Sequence, residues 1–300
     1  CNNNFFGQCA GFFNTTGRAN NFLGQYAGRS NSTGCHNNFL GCKAGISNTS
    51  GCFNNFLGQC AGFFNTTGCS NNFFGRYAGK CNTGGRWNNF FGDRAGCNNT
   101  TGNDNNFLGK YAGRVNTNGS SNNFLGLSAG LSNTTGCFNN FFGCGVGFCN
   151  TTGNNNNFLG CRTGERNTTG CNNNFLGNYA GRFNTTGCYN NFLGNCAGCN
   201  STTGNNNIAI GCQVQLPDPT GNNQLAIGVG NTSWFNGDSS YNVGFGTTVP
   251  SGAADPGNTQ IVNAGIVTAN FYYGDGSNLI NLPASGFEQD ADGNLIAGGG

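Results

Sequence analysis

Asn173–Tyr189 reads NNFLGNYAGRFNTTGCY, and this 17-residue frame accounts for about two thirds of the chain. It restarts at Asn3, Asn20, Asn37, Asn54, Asn71, Asn88, Asn105, Asn122, Asn139, Asn156, Asn173 and Asn190 without a slipped register. A short fixed period marks a stacked array, in which each unit buries its apolar face only against its neighbours. Within the unit, Phe followed by Leu or Phe stands between Asn-Asn and Gly, which reads as a short strand bounded by turns. Glycines recur at the phases of Gly24, Gly28 and Gly34, where a corner needs positive φ or two coils approach closely. Three glycines per unit at about 1 kcal/mol each, with no i, i+3, i+4 apolar stripe, exclude a helix. The predicted fold is all-β: a parallel β-solenoid, or β-roll, with one 17-residue coil per repeat.

Stacked coils place identical phases over one another at about 4.8 Å. Counting Asn3 and its equivalents as phase 1, the expected core ladder is phase 3: Phe5, Phe22, Phe39, Phe56, Phe73, Phe90, Phe107, Phe124, Phe141, Phe158, Phe175 and Phe192. Asparagine ladders are expected at phases 1 and 12, the latter from Asn14, with amides hydrogen-bonded along the axis. An alanine column runs from Ala10 to Ala197.

Successive strand side chains point to opposite faces, so Phe6 and the other phase 4 residues cannot share the interior with Phe5 and its column. Twelve outward Phe or Leu side chains would exceed the roughly 300–600 Å² of a monomer's largest apolar patch. Symmetric association of identical chains covers such a column, which predicts a parallel homotrimer. The alternative is a flattened coil that turns both columns inward.

Residues 1–204 form the regular array, and residues 205–248 hold divergent coils, NNNIAIG at Asn205–Gly211 and NNQLAIG at Asn222–Gly228. Pro217 and Pro219 mark a loop there, and the array is expected to run on to Gly246. Residues 249–285 read as a linker and strand-turn module, and 286–300 as the start of a following segment. Because Cys1 falls in mid-repeat, the chain is expected to be a piece of a longer polypeptide.

Charged residues make up 7% of the chain and the formal net charge is +2, so no nucleic-acid partner is expected. No apolar run approaches the roughly 20 residues of a membrane-spanning helix. The single histidine, His36, and the dispersed acids offer no paired carboxylates, no nucleophile with a base and no metal or cofactor site; an enzyme is not expected.

The 18 cysteines sort into phase 16, after NTTG, and two strips around the AG element. Cys35, Cys52, Cys69, Cys171 and Cys188 form a candidate disulfide ladder, since stacked coils lie within the Cα separation a bridge tolerates. Cys196 and Cys199 form a lone CxxC, read as thiol or disulfide chemistry in preference to zinc. The N-x-S/T triplets at Asn14, Asn31, Asn48, Asn65, Asn99, Asn133, Asn150, Asn167 and Asn184 read as turns ahead of glycosylation acceptors. Tyr26, Tyr77, Tyr111 and Tyr179 share phase 7 with Lys43, Arg94 and Arg162, a candidate saccharide-binding strip or an ordinary solvated surface.

The IAIG and LAIG elements at Ile208–Gly211 and Leu225–Gly228 resemble the coil signature in the head domains of trimeric autotransporter adhesins. The NNFFG, AG and NTTG frame more closely resembles repeat-bearing structural proteins and tail fibres of marine cyanophages. So does GIVTANFYYGDGSNLINLP, Gly265–Pro283, which is similar to a strand-turn module between fibre segments. These resemblances imply a trimeric roll and a rigid fibre segment of a phage tail or virion, carrying recognition of a host receptor or saccharide. A bacterial surface adhesin or extracellular filament is the alternative. Ice binding is a third reading, disfavoured because the Thr ladder (Thr15, Thr49, Thr66) lies in a Gly-bounded turn.

Overall fold

A computed structural model describes residues 2–230 and 232–238, with strand backbone at Val243–Phe245, Phe287–Gln289 and Leu295–Ala297. The chain divides into two units, Cys1–Asn258 and Thr259–Gly300. In the second unit, Phe287–Gln289 pairs antiparallel with Leu295–Ala297. The linker and strand-turn module expected over residues 249–285 lie outside the described residues.

The first unit is a parallel β-solenoid. Three-residue strands recur every 17 residues from β1 (Asn4–Phe6) to β12 (Asn191–Leu193), followed by β13 (Ile208–Ile210) and β14 (Leu225–Val229). Each pairs in parallel with the next and in register, Phe5 opposite Phe22, Phe175 opposite Phe192, and Phe192 opposite Ala209. Fourteen strands make thirteen turns, and no described residue is helical. At about 4.8 Å per step the stack is roughly 60 Å long.

The phase 3 rings from Phe22 to Phe192 have no solvent exposure, and Phe5 in the first coil is partly buried. Adjacent rings stack with centroids 4.7–4.9 Å apart and planes within 9°. Phase 8 closes the core beside them with Ala27 and its equivalents, replaced by buried Val146, Thr163 and Val214 in three coils. Gly28, at φ 57°, turns the chain over the Phe22 ring so closely that a Cβ there would overlap it. Gly34 has no positive φ; it is required because Asn31 Oδ1 and the Gly51 carbonyl occupy the space of its missing side chain.

The rest of the interior is amide. At phase 1, Asn20 Nδ2 donates to the Gly34 carbonyl (2.8 Å), while its Oδ1 accepts from the backbone N–H and Nδ2 of Asn37 (3.0 and 3.2 Å). At phase 12, Asn48 Nδ2 donates to Asn31 Oδ1 (2.7 Å) and to the Gly51 carbonyl (3.0 Å). Burying an amide is costly unless its hydrogen bonds are replaced, and here each coil supplies the partners of the next. The ladder breaks at Ser201, which occupies phase 12 without an amide donor. Its buried hydroxyl and the Asn184 Oδ1 facing it are left without partners.

The parallel array stops at Val229, short of the expected Gly246. Gly230, at φ 60°, turns the chain back, and β15 (Thr232–Gly237) pairs antiparallel with β14, then β16 (Val243–Phe245) antiparallel with β15. Gly211 and its equivalents leave the strand at positive φ, whereas Gly228 at the same phase has no positive φ and stays within β14, so the chain runs on to Gly230 before it reverses into a hairpin.

Phase 4 lies on the outer face of the strand, half-buried by its own column: Leu23 is 40% and Leu108 39% exposed. The coil is therefore not flattened around both columns.

Replacing a mid-array ring, Phe107→Ala, is expected to cost roughly 3–5 kcal/mol, read by chemical denaturation. Ser201→Asn restores the missing donor and is expected to stabilise by about 1 kcal/mol, seen as a higher melting temperature.

Candidate functional site

With phases 1, 3, 8, 12 and 15 committed to the interior, chemistry is confined to the outward phases. Phases 7 and 17 are left-handed corners throughout the array, occupied by Tyr26 (φ 60°), Lys43 (59°), Phe53 (59°) and Trp87 (56°) among others. Such a conformation disfavours any side chain, and glycine would be the expected occupant. Sequence reading missed both corners for that reason. The residues stand out from the coil, with Phe53 and Trp87 well exposed and His36 exposed and stacked on Phe53 at 5.0 Å.

Tyr26, Tyr77, Tyr111 and Tyr179 are half-buried at phase 7, with one cation against each of the rings of Tyr26 and Tyr179 and three against each of those of Tyr77 and Tyr111. Arg94, in the same column one coil from each, lies 5.8 Å from the centroids of both Tyr77 and Tyr111. Lys80 approaches Tyr77 at 5.6 Å, and Lys110 and Arg114 approach Tyr111 at 5.1 and 5.5 Å. Contacts of this kind contribute about 0.5–1 kcal/mol each at exposed sites and hold the cations in place. Arg76 pairs with Asp93 through two hydrogen bonds of 2.9 and 3.3 Å. The Arg76 guanidinium holds the Asp93 carboxyl below its usual range, so the pair persists until pH falls through that lowered value. A second ion pair, Arg182 with Glu165 at 2.8 Å, joins neighbouring coils in the same way.

The net charge of +2 conceals a division. All 12 Lys and Arg precede residue 205, against three acids there (Asp93, Asp104 and Glu165), and the other seven acids follow it. Ten of the 12 cations occupy phases 6, 7, 10 and 11, the exceptions being Arg18 and Arg86 at phase 16. A basic edge therefore exists along the array, which the overall charge conceals and which sorting charges by repeat phase would have found.

Phase 16 has its own logic. Cys35, Cys52, Cys69, Cys171 and Cys188 are unbridged thiols in one column. The backbone N–H of Cys35 donates to Cys52 Sγ (3.1 Å), that of Cys52 to Cys69 Sγ (3.2 Å) and that of Cys171 to Cys188 Sγ (3.1 Å). Each thiol donates in turn to the carbonyl two residues earlier, as Cys52 Sγ does to Ser50 (3.4 Å). Burial pushes the Cys52 thiol up, keeping it a protonated donor at neutral pH. Asn103 Oδ1 and Ser120 Oγ accept the same N–H from Arg86 and Asn103, which explains why Cys, Asn and Ser interchange here. Elsewhere, Cys196 and Cys199 form a disulfide.

The phase 13 hydroxyls also act along the axis, Thr49 Oγ1 donating to the Thr66 carbonyl (3.1 Å). The asparagines of the N-x-S/T triplets, from Asn31 to Asn184, are the buried phase 12 ladder, with Nδ2 engaged inside the coil. Among the described residues, no three His, Cys, Asp or Glu side chains gather as a metal site. No family model, curated protein or solved structure matches the chain.

Cys52→Ser, which keeps an acceptor and a donor, is expected to leave stability within about 0.5 kcal/mol, whereas Cys52→Ala should cost about 1 kcal/mol by orphaning the Cys35 N–H. Paired denaturation curves under reducing conditions check this.

Proposed function

We propose that this chain is a structural fibre segment, a rigid shaft in a phage tail or virion that holds a host-recognition element away from the particle. The observation that carries the reading is the phase 4 column: an unbroken line of Leu and Phe on one face of the array, about 40% exposed where Leu23, Phe91, Leu108 and Leu159 stand. At roughly 150–200 Å² for each side chain, twelve of them leave on the order of 800 Å² of apolar surface. Axial stacking has halved what a fully outward column would expose, yet the remainder matches one partner's share of a standard interface. Parallel association of three copies covers it with one repeated contact and multiplies bending stiffness. No helix among the described residues is long and apolar enough to cross a membrane. A cell-surface adhesin or filament is the second reading, favoured by the IAI and LAI segments of β13 and β14, where Ala209 and Ala226 replace Phe in the core.

Sedimentation of the purified chain is expected to give the mass of three copies, and negative-stain images a straight rod. Substituting Asn for Leu23, Leu40, Leu57, Leu108 and Leu125 together should release folded monomers or insoluble chains. A soluble, folded wild-type monomer would remove the trimer and with it the main support for a fibre.

A further inference from the structure

We propose that the basic edge of the fifth, sixth and seventh coils, those that begin at β5 (Asn72–Phe74), β6 (Asn89–Phe91) and β7 (Asn106–Leu108), binds a linear acidic polysaccharide, with Arg94 as the central anion contact. The inference is independent of the shaft reading, because it concerns phases 6, 7 and 10 and not the apolar column. Three observations converge on it. First, cations are concentrated there: Arg76, Lys80, Arg94, Lys110 and Arg114 face outward over three successive coils. Second, the single carboxylate on this part of the edge, Asp93, is engaged by Arg76. Lys80, Arg94, Lys110 and Arg114 make no direct ion pair among the described residues, although the Asp93 charge also acts on Arg94 and Lys110. Third, the cations are already placed. The Arg94 guanidinium lies 5.8 Å from each of the rings of Tyr77 and Tyr111. Its planar fork, confined by the two rings, suits a carboxylate or sulfate, and less side-chain entropy is lost on binding.

The geometry favours a glycan over a nucleic acid. Single-stranded nucleic acids stack their bases on bare aromatic faces along a charged groove. Here the tyrosines already carry Lys80, Arg94, Lys110 and Arg114 within 5.1–5.8 Å of their centroids, so they present charge in place of an open π-face. The coils repeat at the ring spacing of 4.8 Å, close to the length of one pyranose unit in an extended chain. Successive acidic sugars laid along the edge would meet one coil each. Because the backbone corners are held by the buried ladders, the cation spacing does not have to be organised at binding.

The test measures binding of the full chain to heparin, which carries sulfate, to polygalacturonate, which carries only carboxylate, to neutral dextran and to oligo(dT). Binding is expected to one or both acidic polysaccharides and not to dextran, weakening as salt rises; the two acidic arms distinguish sulfate from carboxylate recognition. The triple variant Arg94→Gln, Lys110→Gln, Arg114→Gln should lose about tenfold or more in affinity. Arg18→Gln with Arg86→Gln, which removes two cations from phase 16, should stay within about twofold, and Arg94→Lys should recover only part of the binding. Melting curves establish that each variant is folded. No binding to either acidic polysaccharide at low salt, equal losses in the triple and double variants, or tighter binding to oligo(dT) than to both glycans would overturn the proposal.

Discussion

Everything in this solenoid depends on the two amide ladders inside it. A stack of phenylalanines alone would tolerate rotation of one coil on the next, because dispersion and apolar burial are not directional. The asparagines at phases 1 and 12 remove that freedom. Asn20 and its equivalents must meet both the glycine carbonyl of their own coil and the backbone N–H of the next, and a coil shifted by one residue would bury every one of those groups unpaired. The ladders also dictate the glycine at phase 15, since Asn31 Oδ1 and the next coil's carbonyl fill the place of its side chain. The one interior position where the rule lapses, Ser201, lies in the coil that precedes the divergent repeats.

Because the interior is fully specified, the exterior is released. Phases 6, 7, 10, 11, 16 and 17 carry Cys, Tyr, Arg, Lys, Phe, Asn and Ser with no fixed order along the array. What they share is axial pairing with the same phase one coil away: His36 stacked on Phe53, Arg76 on Asp93, Cys171 N–H to Cys188 Sγ. A side chain at these phases is thus judged against its neighbours in the column, which is how a thiol, an amide and a hydroxyl come to be equivalent at phase 16. The same column logic gathers cations and tyrosines into one edge, where a stacked array could acquire binding specificity without altering its core.

The outward position of the second apolar column, for which a flattened coil was the alternative, was settled by its exposure; the sequence by itself determined the period, the strand, the phenylalanine core and the amide ladders. Those conclusions follow from translation: in a stacked array each residue's axial neighbour is its own equivalent, so composition by phase is already a contact map. Gly28 as a corner at positive φ was legible on the same terms. Only the tertiary structure decided what depends on direction around the coil. The left-handed corners at phases 7 and 17 were hidden because Tyr26, Phe53 and Trp87 occupy them without glycine. The asparagines of the N-x-S/T triplets were read as both turn and ladder residues; the coil path places them inside. The hydrogen-bonding role of the cysteines needed the distance from Sγ to the neighbouring N–H. The array's end at Val229 turned on whether one glycine makes a coil corner or a hairpin, and the pairing of the following strand decides that. Local residue preferences restrict a corner's backbone but leave its azimuth open, and azimuth is what separates core from edge.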